Sequence, residues 1–387
     1  MSSVWHSDNR HTETDPMGII YLGWNGRGIQ AAGWKAFSVR LYEEQRRLSP
    51  TIVGKQWWGK DLFLFVRKPK EEPAPFEEWL LTTALQLRDR WGRGFLDTFP
   101  EPTAAGWHLH AGVSSLQAGS GDLEDDEWYD SLKRALIQGG RSDAIEQRLK
   151  RLAFDRILQE RRIRAVYQPI VSLADGKRFG FEALTRVDSE RFEGPLQLFK
   201  FAEEEGESFA IDLLARERAI DGCGALRNDQ KIFINMSAHI MDDPHYTPGQ
   251  TLKLLERRGL SPSNVVFEIT ERSSIDDFST AVKTLNHYRS QGYQIAIDDA
   301  GAGYSSLQSI VELRPDYIKV DRSLVNHIDR DEMKQHLMGT FVGLARKMGI
   351  GVIAEGIERQ EELEQVNEMG VHYAQGYLLG RPVAQLE

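Results

Sequence analysis

Two adjacent carboxylates, Asp298 and Asp299, close the apolar run Ile295-Ala296-Ile297 and lead into small residues, Ala300-Gly301-Ala302-Gly303. Neighbouring side chains on a regular strand point to opposite faces, so the pair shares one site only if the strand ends where it stands. Two carboxylates at one spot repel each other and call for a partner cation or a metal. The same kind of ending recurs through the second half of the chain, where short apolar segments close at or near Gln168, Glu182, Asn235, Glu268, Lys319, Glu355 and Gln375. With the aspartates these positions supply five carboxylates, amide side chains and one lysine. Oxygen-rich ligation without His or Cys suits a hard divalent cation, Mg²⁺ or Mn²⁺, rather than zinc. Carboxylates in this number suffice for two ions, and paired ions suit in-line displacement at phosphorus. Metal-dependent phosphodiester hydrolysis is the reaction class that follows.

These residues need a scaffold that brings strand ends together. AVYQPIVSL, FGFEALTRV, KIFINMSA, VVFEITE, QIAIDDAG, YIKVDRS, GVIAEGIE and YAQGYLLG are eight apolar segments, mostly separated by helical stretches, over residues 165–387. Such alternation is the signature of an α/β parallel sheet, and eight repeats close into a (β/α)8 TIM-like barrel with its active site at the C-terminal strand ends. Ahead of it, residues 1–16 read as a mobile tail and 17–141 as a smaller α+β sandwich. That sandwich has a strand at 17–24, a helix at 29–47, a hairpin turning at Gly59-Lys60, a helix at 76–91, a strand at 106–116 and a helix at 126–140. This order predicts one helical layer on an antiparallel sheet. Residues 142–164, with Ile145, Leu149, Leu152, Ile157 and Ile163 spaced for one face, read as a helical linker.

Composition narrows the class. A chain of 387 residues, 41% hydrophobic and 27% charged, is globular and long enough for two domains. A formal charge of −10 argues against a broad basic face for a nucleic-acid polymer. No apolar run is long enough for a membrane span, and the N-terminus lacks a signal core, so a soluble, cytoplasmic protein is expected. The single cysteine, Cys223, fits a packing role.

Glu182-Ala183-Leu184 followed by Arg186 forms an E-A-L-x-R signature, and YQPI, NMSA, FEITE, IDDxGxGYSSL, IKVDRSLV, IAEGIE and QGYLLGRP accompany it in order. Residues 165–387 thereby resemble the EAL-domain cyclic di-GMP phosphodiesterases. The resemblance implies that Glu182, Asn235, Glu268 and Asp298 hold one metal and that Asp298 and Asp299 reach a second. It makes Lys319 and Glu355 the groups that position or deprotonate the water, alongside Glu182 and Asp299 in the catalytic set. Gln168, Arg186 and Gln375 become substrate-binding residues, Gln375 also ordering the water or the second ion, and Glu358 braces the loop after Asp299. A homodimer through this domain is implied as well. Ala300 and Ala302 depart from the family, which commonly has an aromatic and a hydroxyl residue there.

The first domain resembles the GGDEF (diguanylate cyclase) fold in its element order. Trp58-Gly59-Lys60-Asp61-Leu62-Phe63 stands in place of the G-G-[DE]-E-F turn, with Leu62 where an acid is expected. The first strand closes in Gly23-Trp24-Asn25 without a metal-binding Asp. A degenerate, regulatory domain without cyclase activity is the implication. Gly23-x-x-Gly26-x-Gly28 reads as a flexible turn, with a retained GTP contact as the alternative. The function expected of the whole is hydrolysis of cyclic di-GMP to linear pGpG under control of that domain. The alternative is a catalytically silent cyclic di-GMP receptor acting through protein partners.

Overall fold

The computed structural model describes residues 16–25, 39, 42–43, 51–58, 61–98, 108–116, 125–141, 143–237, 240–247, 249–270, 278–301 and 306–385. The tail expected at 1–16, most of the helix at 29–47, the Gly59-Lys60 turn, and Gly26 and Gly28 lie outside the described residues. The chain forms two compact units, Met1–Asp155 and Arg156–Glu387.

In the first unit, strands β1 (Met17–Asn25), β2 (Ile52–Trp58), β3 (Asp61–Arg67) and β4 (His108–Leu116) make an antiparallel sheet in the order β2-β3-β1-β4. Strand alternation sends Ile20, Leu22, Leu62, Leu64 and Val66 to one face, where they meet Trp79, Leu80, Ala84 and Leu87 of the helix Phe76–Thr98. Ile19, Tyr21, Phe63 and Phe65 go to the other face and meet Leu132 and Ala135 of the helix Asp125–Gly139. Helices therefore cover both faces, which corrects the expectation of a single helical layer. The sign of it is the run Leu62-Phe63-Leu64-Phe65-Val66, since a strand buried on both sides shows no polar alternation. The segment read as a linker forms the helix Ala144–Glu160, with Ile145 and Leu149 buried in the first of these cores. Ile163, assigned to its apolar face, instead opens a strand.

Each of the eight apolar segments of the second unit is a strand: β5 (Ile163–Ser172), β6 (Arg178–Val187), β7 (Lys231–Asn235), β8 (Val265–Thr270), β9 (Gln294–Ala300), β10 (Tyr317–Val320), β11 (Gly351–Ala354) and β12 (Tyr373–Gln375). They close into a barrel in the order β10-β11-β12-β5-β6-β7-β8-β9. Strands β6 to β12 pair in parallel, but β5 is antiparallel to both β6 and β12. The wholly parallel sheet expected from the sequence is thus corrected at its first strand. Only residues 173–177 separate β5 from β6, whereas a parallel crossover needs about a dozen or more. Asp175-Gly176, with Gly176 at φ +69°, makes the tight turn instead.

Alternation with a period of two sorts the barrel interior. Ile170, Phe233, Val266, Ala296, Tyr317 and Ile353 form a packed floor, with Phe179 and Tyr373 stacked beside it at 4.0 Å. Two residues beyond these positions, strands β7 to β12 present their polar residues: Asn235, Glu268, Asp298, Lys319, Glu355 and Gln375. On the reversed β5 the order inverts, and Gln168 comes two residues before Ile170.

One glycine sets how closely the first unit packs. A Cβ on Gly112 of β4 would lie 1.9 Å from the Ala135 carbonyl oxygen of the helix Asp125–Gly139. Gly112→Ala must push that helix off the sheet, so the variant is expected to lose about 1–3 kcal/mol or more of the first unit's unfolding free energy, read by chemical denaturation.

Candidate active site

Lys319, only 1% exposed, stands at the centre of the barrel mouth. Its Nζ lies 2.8 Å from Glu268 Oε1, 2.8 Å from Glu355 Oε1, 3.0 Å from Asp298 Oδ1 and 3.4 Å from Glu182 Oε1. Burial alone would strip its charge, but the four carboxylates outweigh burial and hold its pKa well above the ordinary lysine value. Burial pushes the Glu355 carboxyl up to about 8, with Asp298 and Glu182 adding to the rise and Lys319 opposing it. Glu268, fully buried, is raised well above the usual range for the same reason. Asp299 is raised by burial and by Asp298 and Asp321.

The neighbouring aspartates reach one site by a different route from the strand end that the sequence suggests. Strand β9 continues through both to Ala300. In its pairing with β10, Ile297 faces Ile318 and Ala300 faces Val320, so Asp298 and Asp299 together oppose the single residue Lys319. The extra residue is a β-bulge, and Asp299 takes it up in the left-handed region at φ +56°. Asp298 stays buried while Asp299 is exposed, yet their carboxylate oxygens and one of Glu355 lie within 4.8 Å of one another. Asp299 N–H donates to Asp298 Oδ1 at 3.0 Å, which fixes the turn.

Two amides tie the reversed strand into the mouth. Gln375 Nε2 donates to Glu182 Oε2 at 2.6 Å and to Gln168 Oε1 at 3.2 Å, and Gln168 Nε2 donates to the Gly380 carbonyl. Gln168 is in register with Glu182, and Asn235 with Glu268. Asn235 is exposed at the end of β7. Arg186 lies four residues past Glu182, half-buried, with Nη1 on the Thr185 carbonyl, and it does not line the mouth cavity. Glu358 is exposed and pairs with Arg322 at 2.9 Å; residues 302–305, the loop it is expected to brace and the place of Ala302, lie outside the described residues. Ala300 is fully buried in β9.

A cavity of about 160 Å³ opens over these groups and is lined by Gln168, Glu182, Glu355 and Gln375, and also by Arg322 and Tyr377. Sequence reasoning passed over the last two. They sit in the IKVDRSLV and QGYLLGRP segments just beyond the strand ends, where a cation and an exposed ring bearing the stacked Arg381 guanidinium (4.4 Å) meet solvent. Asp212 was missed too. It is buried against Arg216, and its Oδ2 accepts the Ser237 N–H at 3.1 Å, holding the turn that follows Asn235. Arg216 also donates to Thr251 and Tyr288 and lies over the Phe267 ring, next to Glu268.

The donor set fits a hard cation. Carboxylate oxygens of Glu182, Glu268 and Asp298 form one group within 4.8 Å, and those of Asp298, Asp299 and Glu355 form a second that shares Asp298. Glu268 Oε2 is buried and has no hydrogen-bond partner, which is the state of a ligand atom awaiting a cation. The acidic group at His327, Asp329 and Glu362 is of another kind, because Arg359 pairs with both its carboxylates.

With that geometry the pattern of the EAL domain matches residues 150–382, more than half of the chain. The chain belongs to the EAL domain family. Among relatives of this EAL protein, an uncharacterized signaling protein of Caulobacter vibrioides is 34% identical over 218 residues, covering 56% of this chain and 27% of the relative. "Probable cyclic di-GMP phosphodiesterase PdeG" of Escherichia coli K12 is 30% identical over 229 residues, covering 57% and 45%. The EAL chain thus spans less than half the length of these curated relatives. Among solved structures, the PaMucR phosphodiesterase in its c-di-GMP complex is 29% identical, with a TM-score of 0.51 over 60% of this chain and 96% of that one.

The raised carboxyls give the metal-free EAL site a definite pH response. Glu355 keeps its proton in the folded state up to about 8, against an ordinary value of 4.5, so between these limits the folded chain binds more protons than the unfolded one. Stability therefore falls as pH rises through that window. The expected outcome, by thermal melting in chelator and then in excess Mg²⁺, is that the cation raises Tm more at pH 8 than at pH 5, because it takes the place of the protons.

Proposed function

We propose that this chain hydrolyses one phosphodiester bond of cyclic di-GMP to give linear pGpG, at the barrel mouth and with two divalent cations, Mg²⁺ or Mn²⁺. The observation that carries the reading is the pair of carboxylate groups sharing Asp298, Glu182–Glu268–Asp298 and Asp298–Asp299–Glu355. The printed names of the relatives, a cyclic di-GMP phosphodiesterase and a c-di-GMP complex, support the substrate. Glu182, Asn235, Glu268 and Asp298 would hold one ion, and Asp298 with Asp299 the other. Bound ions of this class polarise a phosphoryl oxygen and lower the pKa of water.

The chain's own residues carry the remaining work. With the cations in place of its proton, Glu355 would accept the proton of the attacking water, and Lys319 keeps that water and the phosphoryl oxygens in place. The water oxygen bonds to phosphorus as the P–O bond to the ribose oxygen breaks, and the leaving oxygen takes a proton from solvent water. Gln168 and Arg186 contact the substrate, Arg186 by forking onto a phosphate. Gln375 fixes Glu182, and Glu358 with Arg322 frames the rim.

The first unit is proposed as a degenerate GGDEF-like regulatory domain. Its antiparallel order β2-β3-β1-β4 suits a β-α-β-β-α-β arrangement, and Leu62 is a fully buried core residue where an acid would serve catalysis. GTP is its candidate ligand, and a homodimer through the EAL domain is the proposed assembly. No helix of the described residues is long and apolar enough to cross a membrane, and a cytoplasmic location is proposed.

Purified chain incubated with cyclic di-GMP and Mg²⁺ or Mn²⁺ is expected to release linear pGpG, followed by chromatography. Glu182→Ala should lower turnover on the order of a thousandfold, as loss of one ion would. Tight binding by the unaltered chain without turnover would instead make it a receptor.

A further inference from the structure

The first unit holds a second cavity, of about 660 Å³, that has no part in the chemistry above. It lies where β4, the edge strand of the sheet, passes between the start of the helix Phe76–Thr98 and the end of the helix Asp125–Gly139. Its lining includes the apolar Phe76, Leu80 and exposed Ile137. It also includes three guanidinium groups, Arg134, Arg141 and Arg148, in a chain whose formal charge is −10.

Only one of the three meets a carboxylate. Arg148 Nε pairs with Glu77 at 2.6 Å. Arg134 instead donates to hydroxyls, Nη2 to Ser131 at 2.6 Å and Nε to Ser114 at 3.4 Å, and both serines are buried. These contacts orient its guanidinium without neutralising it. The Arg141 side chain makes no hydrogen bond or ion pair among the described residues. Gln138 accepts the Val113 N–H at 2.6 Å, so its side chain caps the strand edge there rather than leaving it open to a pairing strand. Two arginines with no carboxylate partner among the described residues, beside apolar side chains, define the ligand: an anion of about two charges joined to an apolar body.

We propose that this cavity binds a small organic phosphate monoester, its phosphate facing Arg134 and Arg141 and its body lying against Phe76, Leu80 and Ile137. A carboxylate supplies one charge and leaves one guanidinium unanswered, whereas a phosphate monoester carries about −1.5 to −2 at neutral pH and has three acceptor oxygens. The volume falls within the ordinary range for small-molecule sites.

Titration calorimetry on the full chain tests this, in chelator so that the barrel mouth offers a phosphate no cation. The probes are phenyl phosphate, hexyl phosphate and inorganic phosphate, the first two distinguishing an aromatic body from an aliphatic one. One organic phosphate is expected to bind at one site per chain, about tenfold or more tighter than inorganic phosphate. Arg141→Ala, at an exposed side chain with no partner among the described residues, should keep the thermal midpoint and weaken binding about tenfold or more; Arg134→Ala should weaken binding likewise while lowering the midpoint, because it takes a donor from the buried Ser131 and Ser114 hydroxyls. No saturable binding, equal affinity for inorganic phosphate, or binding untouched in Arg141→Ala would each overturn the proposal.

Discussion

Four carboxylates converge on one buried ammonium, and the barrel mouth depends on that balance. Lys319 lies within 3.4 Å of Glu182, Glu268, Asp298 and Glu355. Removing any of these charges from water is costly, and their mutual attraction recovers the cost only when each is closely paired. One lysine cannot balance four carboxylates, and Asp299 adds a fifth anion. The surplus charge remains as raised carboxyl pKa values and as the unpartnered Glu268 Oε2. A site that carries surplus negative charge within a closed barrel is built to take up cations.

Register places those charges. Because interior residues recur every second position, a floor of Phe233, Val266, Ala296, Tyr317 and Ile353 fixes where Asn235, Glu268, Asp298, Lys319 and Glu355 must stand. Strand β5 runs the other way, so its contribution comes from mid-strand, where Gln168 is opposite Glu182. The bulge at Asp298-Asp299 adds one more carboxylate than a regular strand could bring to the same face. Gly376 seals the rim, since a Cβ there would lie 2.0 Å from the Ile357 carbonyl oxygen and drive apart the segments that carry Gln375 and Glu355.

Much of this was legible in the sequence. All eight apolar segments are barrel strands, and each polar residue named at their ends faces the mouth or stands in register with one that does, apart from Arg186; Glu358 lines the cavity at its rim. The reversal of β5 was also readable, in the five-residue gap with its Asp-Gly turn, but the alternation of strand and helix through the rest of the domain concealed it. The bulge was not readable, because small residues after two carboxylates look the same whether a strand ends or buckles. Arg322, Tyr377 and Asp212 act through tertiary proximity, for which chain spacing carries no signal. In the first unit the unbroken apolar run of β3 recorded a sheet covered on both faces.

The most direct measurement is anomalous scattering from crystals of the full chain grown with Mn²⁺. The account predicts two peaks that share Asp298, one against Glu182 and Glu268 and one against Asp299, with the Lys319 ammonium drawn away from at least one of its four carboxylates. Contacts of Lys319 to all four that persist with no peak in the mouth would contradict it, and so would manganese bound only at His327, Asp329 and Glu362.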